Sequence, residues 1–503
     1  MYAAEEPGGL LARNSAVFRS GSPVFLREPI ASEYVAGYLR FRGLSSDIIQ
    51  QTVEDDSHVL KILETEQPRI LGASIHSTHM VPRVLEFLRL CRQRFPDLVI
   101  VAGGAHPTGA PEIVKEDCID YVVIGEGEET LYELASAILR GSDPGKIKGL
   151  AYMKDGFVKC TPPRERLDFT LKFRPIRKNE ILSKMKCAPL AYPAPPDQKG
   201  VAQVAYSRGC PFKCEFCVSP IVFPRDTIYR DPEDVMDELK QLKRDYGTNF
   251  VFFNDLTFNH YPPRVHDLCD KLIEENLGIN WFAYVSVHLI EEVVKTMAEA
   301  GCSRAGMGAE SLVDYVLTDV KPQQRVANTR KSLQMTDKYG ILNRTYLMFG
   351  YPSETKETLV ETLEVMKSLP IDQPRLAFIT PFPGTTFYYK VQDQLITRDP
   401  DKFTGDHPVI KNPNISSQEY VELRDWILSS YYDSQEYHDH VADKCKRHPR
   451  LIDSFRFFFG YLRNKEIVSQ SAYARLLRTL DEEADVSHNK TDPKQYAYDP
   501  VFA

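Results

Sequence analysis

Three cysteines are spaced to do chemistry together: Cys210-Pro-Phe-Lys-Cys214-Glu-Phe-Cys217. The chain holds ten cysteines in 503 residues, and chance would place such a triple on the order of 0.004 times per chain. Three thiolates within eight residues can wrap one small metal centre, and thiolates suit zinc or an iron–sulfur cluster. A structural zinc site wants a fourth ligand close by. The next downstream candidate, His260, lies 43 residues past Cys217. A [4Fe–4S] cluster held by three cysteines instead keeps one iron open to a non-protein ligand. Cluster, zinc and a chance grouping are the three readings these residues allow. The other seven cysteines (Cys91, Cys118, Cys160, Cys187, Cys269, Cys302 and Cys445) are scattered and read as small buried hydrophobes.

The rest of the composition narrows the class. Apolar residues make 43% and charged residues 26% of the chain, values of a globular protein, and 503 residues suffice for several cores. No apolar run approaches the length of a membrane span; the longest, such as 98–105, are strand-sized. The N-terminus (Met1, Tyr2, Glu5, Glu6) lacks a basic region followed by an apolar stretch, which argues against secretion and for the cytoplasm. A net charge of −8 with no Lys/Arg block argues against a large nucleic-acid surface.

Around the cysteines, strand and helix signals alternate from about residue 200. Strands are expected at 203–207, 249–253, 280–285, near 308, 343–349 and 375–380. Helices fit 231–246, 263–276, 288–300, 311–317, 324–339 and 353–368, with Asp231 as cap and Pro232 in the first turn of the first. Six repeats read as a parallel partial barrel with its chemistry at the strands' C-terminal ends.

Cys-x3-Cys-x2-Cys with Phe216 before the last cysteine resembles the radical S-adenosylmethionine (SAM) enzymes. In that family the open iron chelates SAM, and one electron cleaves it to a 5′-deoxyadenosyl radical. Further segments resemble the family's strand ends. Gly306-Met307-Gly308-Ala309-Glu310-Ser311 matches the fourth-strand segment, which implies that Glu310 bonds the SAM ribose. Gly350, in Phe349–Thr355, matches the fifth-strand turn near the adenine. Asp255, in Asn254–Phe258, matches a second-strand residue facing the SAM amino group, and Pro381–Thr385 the loop after the sixth strand. Tight turns and caps would explain these residues without a ligand. There is one departure. The arginine that many relatives place near the end of the third strand is absent from Ala283-Tyr284-Val285-Ser286-Val287, leaving Arg208 or Arg304 as substitutes.

Residues 20–140 alternate in the same way. Strands are expected at 23–26, 48–53, 69–74, 98–102 and 120–124, and helices at 31–42, 57–66, 80–94 and 127–140. On the third helix Val84, Leu85, Leu88 and Cys91 recur at helical steps. This is an open, doubly wound (Rossmann-like) α/β domain, which binds ligands outside its strand ends. Gly103-Gly104 and Gly125-Glu126-Gly127 let a ligand approach the backbone, and the helix at 127 would favour a negative group. The order of these segments, with Pro29–Gly43, Gly72-Ala73-Ser74 and Ala102–Pro107, resembles the cobalamin-binding domain fused to one class of radical SAM enzymes. The resemblance covers roughly 20–390 and implies cobalamin contacts from Ser74, Thr78, Gly103, Gly104, His106, Gly125, Glu126 and Gly127. The Asp-x-His-x-x-Gly signature of a histidine-ligated cobalt is absent. Asp56-Ser57-His58 only begins like it, and His76, His79 and His106 read as loop or tail contacts.

Seven prolines fall in 161–200 (162, 163, 175, 189, 193, 195, 196), where an even spread gives about three, so this stretch reads as an extended linker. Residues 400–480 read as aromatic-rich helices (Tyr420, Trp426, Tyr431, Tyr432, Tyr437, Phe455, Phe457, Phe458, Phe459, Tyr461) packed across the barrel mouth. The tail 481–503 reads as loose and polar. The expected division is 1–160 cobalamin-binding, 161–200 linker, 201–395 barrel, and 396–503 a helical region capping the substrate.

The resemblance implies a cobalamin-dependent radical SAM enzyme using a [4Fe–4S] cluster, SAM, cobalamin and a low-potential donor of the flavodoxin or ferredoxin type. In the leading reading cob(I)alamin takes a methyl from one SAM. A second SAM supplies the radical that opens a C–H bond, and the methyl moves to an unactivated carbon of a small molecule or short peptide. Cyclisation, oxidation or ring contraction without methyl transfer is the alternative. A tRNA methylthiotransferase would need three more cluster cysteines and a basic tail. A cobalamin carrier would leave the Cys210 triad unexplained.

Overall fold

The computed structural model describes residues 2–4, 28–49, 56–177 and 200–487. The expected strand at 23–26, most of that at 48–53, the linker from 178 to 199 and the tail from 488 lie outside them. The chain divides into two units. One comprises Met1–Lys184, Ser207–Asp234 and Thr380–Asp406; the other comprises Met185–Tyr206, Val235–Ile379 and His407–Ala503.

The first unit is built on a six-stranded sheet: β1 (Tyr2–Ala4), β2 (Ile70–Ser74), β3 (Val99–Gly103), β4 (Tyr121–Val123), β5 (Leu150–Lys154) and β6 (Phe157–Cys160), paired in that order. β1 to β4 run parallel. The continuous apolar runs of β2, β3 and β4 are covered on both faces, as parallel strands require. Helices α1 (Ile30–Phe41), α2 (Asp56–Glu66), α3 (Val81–Arg94), the short α4 (Ala105–Gly109) and α5 (Glu128–Arg140) provide the cover. Leu71, Ala73, Ile100 and Ala102 pack with Leu63 of α2 and Leu88 and Cys91 of α3, whereas Ile70, Val101 and Val123 pack with Leu39 of α1 and Leu131 and Leu134 of α5. The doubly wound expectation holds for β2, β3, β4 and these helices. The antiparallel β5–β6 hairpin was not expected. Its turn is Asp155-Gly156, both at positive φ (51° and 80°), the pairing that a two-residue hairpin favours.

The described part of the linker, 161–177, has no helix or strand, yet it is no free spacer. Leu167, Phe169 and Phe173 are buried, and Phe169 and Phe173 meet the Tyr34 ring edge-on at 6.0 and 5.8 Å. Gly37 of α1 makes room for this strap, because a Cβ there would lie 1.9 Å from the Arg174 carbonyl oxygen.

The second unit carries six parallel strands whose spatial order follows the sequence: β7 (Ala202–Val204), β10 (Phe250–Phe253), β11 (Asn280–Val285), β12 (Cys302–Glu310), β13 (Leu342–Phe349) and β14 (Gln373–Phe378). Two short strands of the first unit, β8 (Ser207–Arg208) and β9 (Ile228–Tyr229), and the single-turn helix α6 (Ser219–Val222) interrupt the count. Between the large strands run α7 (Pro232–Tyr246), α8 (Pro262–Glu275), α9 (Glu291–Glu299), α10 (Asp314–Val320), α11 (Val326–Lys338) and α12 (Lys356–Lys367). Sequential parallel strands with a helix after each are the partial (β/α)6 barrel expected. Asp231 caps α7 by accepting from Glu233 N–H at 2.9 Å. One face of the sheet is turned to the helices, with Trp281 donating to the Ala300 carbonyl at 2.8 Å. The other carries Phe252, Phe282, Tyr284 and Tyr346 as linked rings. Gly306 is required there: a Cβ would come within 2.7 Å of Phe282 and 2.8 Å of Tyr284.

After the short α13 (Thr386–Val391) of the first unit come four more helices of the second. They are α14 (Ser417–Tyr432), α15 (Gln435–Arg447), α16 (Ile452–Asn464) and α17 (Gln470–Ser487). Of the expected aromatics, Tyr420, Tyr431, Tyr432, Tyr437, Phe455, Phe458 and Phe459 are buried, Phe457 and Tyr461 are half-buried, and Trp426 is exposed. Their place corrects the expectation. Tyr431 and Tyr437 hydroxyls donate to the Ile371 and Asp372 carbonyls (2.6 and 3.0 Å), Lys444 to the Ile341 carbonyl and the Asp372 carboxylate (3.1 and 2.5 Å), and Arg304 to Ser454 (3.3 Å). Ile341 and Asp372 sit just before β13 and β14, so α15 and α16 close the N-terminal ends of the strands, opposite the mouth. The first half of α14 lies at the other end, where the Tyr420 hydroxyl bonds Glu354 at 3.1 Å and Arg424 lies over the Phe378 ring at 5.1 Å.

Candidate functional site

The cysteine loop leaves β8 through Gly209, whose φ of +100° and close approach to Asp226 admit no side chain; a Cβ would lie 2.0 Å from the Asp226 carbonyl oxygen. Arg208 anchors the root. It pairs with Glu126 (3.2 Å) and Glu128 (2.6 Å) and lies over the Phe169 ring at 4.3 Å. Arg166 adds bonds to the Arg208 and Asp226 carbonyls (3.1 and 2.8 Å). Cys210, Cys214, Phe216 and Cys217 are all half-exposed on this loop. Cys217 N–H closes a turn on the Cys214 carbonyl (3.2 Å), and Ser219 N–H donates to Cys217 Sγ (3.4 Å). Such N–H···S bonds favour a ligating sulfur. Phe387 N–H holds the Glu215 carbonyl (3.0 Å), and Lys390 the Glu215 carboxylate (2.7 Å).

Among the described residues no three His, Cys, Asp or Glu side chains converge on one ion. A zinc ion needs its sulfurs about 2.3 Å from a common centre. A four-iron cluster is larger and spreads its thiolates further apart. The donor set of three half-exposed thiols on a glycine-rooted loop fits the cluster. The remaining thiols differ. Cys91, Cys118, Cys269, Cys302 and Cys445 are buried, and burial pushes Cys91 up to about 12; Cys160 is exposed on β6, and Cys187 lies outside the described residues.

The first unit also gathers the glycine-ended strands. Ser74 pairs in register with Gly103, at the C-terminal edge where β4 leads to Gly125. Gly104 has φ +102°, and a Cβ there would lie 2.7 Å from the Ile75 carbonyl oxygen; Gly103 and Gly125 have no neighbour nearer than 3.6 Å at that position. Thr78 Oγ1 meets His106 Nδ1 at 3.1 Å, and burial pushes His106 down to about 4, so its imidazole is neutral near pH 7. Gly127 caps α5. The field at that helix end is already taken by Glu128 and Glu129 of the first turn. Glu126 is committed as well. Its carboxylate is held by Arg208 and Arg166, although burial and then Glu128 raise its pKa.

In the second unit Asp255, Glu310 and Gly350 stand at the C-terminal ends of β10, β12 and β13. Asp255 is buried and accepts from Tyr206 N–H at 3.1 Å. Glu310 has φ +64° at a slip in the β12–β13 register and pairs with Lys321 at 3.2 Å. Gly350, at φ +97°, donates its N–H to Glu354 at 2.6 Å, as does Tyr351 at 3.1 Å. Burial pushes Glu354 up to about 8, against the pull of these donors and of Tyr420. At the end of β11, Ser286 exchanges hydrogen bonds with Asn259 (2.8 and 3.1 Å). His288 beyond it is pushed down by burial and by the Lys321 charge. Of the two substitute arginines, only Arg304 belongs to this unit. Arg208 is committed to Glu126 and Glu128, and Arg304 sits at the opposite end of the strands with Ser454. Glu354 and Lys321 were not singled out from the sequence. Their signal was spacing alone, four and eleven residues past Gly350 and Glu310.

Comparison with known proteins agrees. Residues 204–366 match the model of the Radical SAM superfamily, and residues 22–135 that of the B12 binding domain. An uncharacterized methyltransferase of Pyrococcus horikoshii is 30% identical over 80% of this chain and 87% of its own. The anaerobic magnesium-protoporphyrin IX monomethyl ester cyclase of Rubrivivax gelatinosus is 28% identical over 79% and 72%. The fold resembles that of the radical S-adenosylmethionine methyltransferase TsrM from Kitasatospora setae (TM-score 0.68, 16% identity, 97% and 99% coverage). The chain belongs to the radical SAM superfamily, in the branch that carries a B12-binding domain ahead of the SAM domain.

Proposed function

We propose that this enzyme methylates an unactivated carbon of a small molecule or short peptide in the cytoplasm, fed by a low-potential flavodoxin or ferredoxin. The observation that carries this reading is the pairing, in one unit, of three half-exposed thiols on a loop with a glycine-ended parallel sheet edge. When bound, the cluster supplies the electron that opens SAM, and cobalamin supplies the methyl carrier.

The chain's own residues bind and orient. Cys210, Cys214 and Cys217 hold the cluster, with Arg208 and Arg166 bracing the loop root through Glu126 and Glu128. Phe216, Asp255, Glu310 and Gly350 meet SAM. Ser74, Thr78, Gly103, Gly104, His106, Gly125 and Gly127 line the cobalamin; Glu126, which the sequence placed among them, acts through Arg208 instead. Residues 1–160 and 201–395 are the cobalamin and SAM parts, and the helices after 396 brace the sheet. The cyclase relative favours a second reading, ring closure without methyl transfer.

Anaerobic reconstitution with cluster and cobalamin, followed by SAM, reductant and candidate substrates, separates the two. Methyl transfer yields S-adenosylhomocysteine and 5′-deoxyadenosine together. Deoxyadenosine alone, with a substrate that turns over, supports the second reading.

A further inference from the structure

Glu310 occupies a backbone region that non-glycine residues seldom adopt (φ +64°), at the point where the β12–β13 register slips. The bulge turns its carboxylate back over its own strand, where a Cβ on Gly308 would lie 2.4 Å from Glu310 Oε1. A residue held in such a conformation must be held by its surroundings. Two side chains from the turn after α10 do this. Lys321 Nζ donates to Glu310 Oε1 at 3.2 Å and to the Gly308 carbonyl at 3.3 Å. Gln324, fully buried, donates to the Ala309 and Gly308 carbonyls at 2.6 and 3.4 Å. The turn that presents both closes with Gln324 N–H on the Lys321 carbonyl at 2.9 Å.

We propose that Lys321 is a positioning residue for SAM. Its ammonium anchors one oxygen of Glu310 and ties it to the bulge, so that the carboxylate is aimed at the ribose hydroxyls, while Gln324 locks the backbone beneath. This rests on the reading of Glu310 as a SAM contact. A carboxylate with one oxygen anchored has fewer orientations to lose when its other oxygen accepts from a hydroxyl. Without the anchor, binding loses part of that bond but keeps every contact that does not involve the ribose hydroxyls.

The test is calorimetric titration of the anaerobically reconstituted full chain with SAM and with its 2′,3′-dideoxy analogue. The wild type should prefer SAM by about tenfold or more, the size of one or two hydrogen bonds, and Glu310→Ala should abolish the preference. Lys321→Met should bring the ratio close to that of Glu310→Ala, with Lys321→Arg keeping most of it. If Lys321→Met misfolds, Lys321→Gln carries the same comparison. A Lys321→Met or Lys321→Gln protein that folds and keeps the wild-type ratio overturns the proposal, as does a Glu310→Ala protein that keeps it. A wild type that binds neither compound refutes the reading of the chain as a SAM enzyme instead.

Discussion

Replacing Glu354 by glutamine should leave the second unit at least as stable as the wild type at pH 8 and remove most of a pH dependence that the wild type shows. Glu354 is buried, with its carboxyl pushed up to about 8 from an ordinary 4.5. Between those values the folded chain keeps a proton that the unfolded chain has released. Stability therefore falls as pH rises through this window and levels off above about 8. At roughly 1.4 kcal/mol per pH unit, less the part already titrated near 8, the wild type should lose about 2 kcal/mol from pH 6 to pH 8 through this group. Glutamine keeps an acceptor for Gly350 N–H and Tyr351 N–H and has no charge to bury. Urea unfolding followed by tryptophan fluorescence reads the effect directly, since Trp281 and Trp426, the chain's two tryptophans, both belong to the second unit. Equal pH slopes for wild type and Glu354→Gln would refute the reasoning.

The other predictions concern single packing and charge decisions. Gly104→Ala forces a side chain into φ +102° against the Ile75 carbonyl. It should cost about 1–3 kcal/mol in urea unfolding of the first unit, and equilibrium dialysis should show weaker cobalamin retention. Lys444 and Asp372 are both fully buried and paired at 2.5 Å. Lys444→Met alone should cost about 3–5 kcal/mol by leaving a buried charge, and Lys444→Met with Asp372→Leu should recover most of it. Burial raises the Asp372 carboxyl, but Lys444 and His440 outweigh it and hold the group below its ordinary range. That contribution is present above the ordinary pKa of 3.8 and is lost as pH falls through the folded value, so acid unfolding should start at higher pH in Lys444→Met.

Much of the fold was legible because periodicity is local. The alternation of apolar runs and helical stripes located every large strand of the second unit and the helices between, and Asp231-Pro232 marked the start of α7. The β5–β6 hairpin was not expected although Asp155-Gly156 is a strong two-residue turn signal, because its outer half is exposed and lacks the continuous apolar run of the parallel strands. Which end of a sheet a helix closes is not written in its periodicity. The aromatic helices were recognised, yet the bonds from Lys444 and Tyr437 that put them at the N-terminal ends join residues 65 or more positions apart. The same distance hid the capture of Glu126 by Arg208, 82 positions away. The cysteine triad was legible because its spacing is itself the chemistry. Asp255, Glu310 and Gly350 could be named from the family resemblance, but the groups that hold Glu310 and Gly350 in place, Lys321 and Glu354, required the structure.

The central claim is that Cys210, Cys214 and Cys217 carry a four-iron cluster with one iron open to SAM. Iron, sulfide and zinc analysis of the anaerobically reconstituted chain, with electron paramagnetic resonance of the reduced protein before and after SAM, tests it most directly. The expected result is four irons and four sulfides per chain, a cluster signal that changes when SAM is added, and loss of both in Cys214→Ala. One zinc and no iron, or a signal indifferent to SAM, would contradict it.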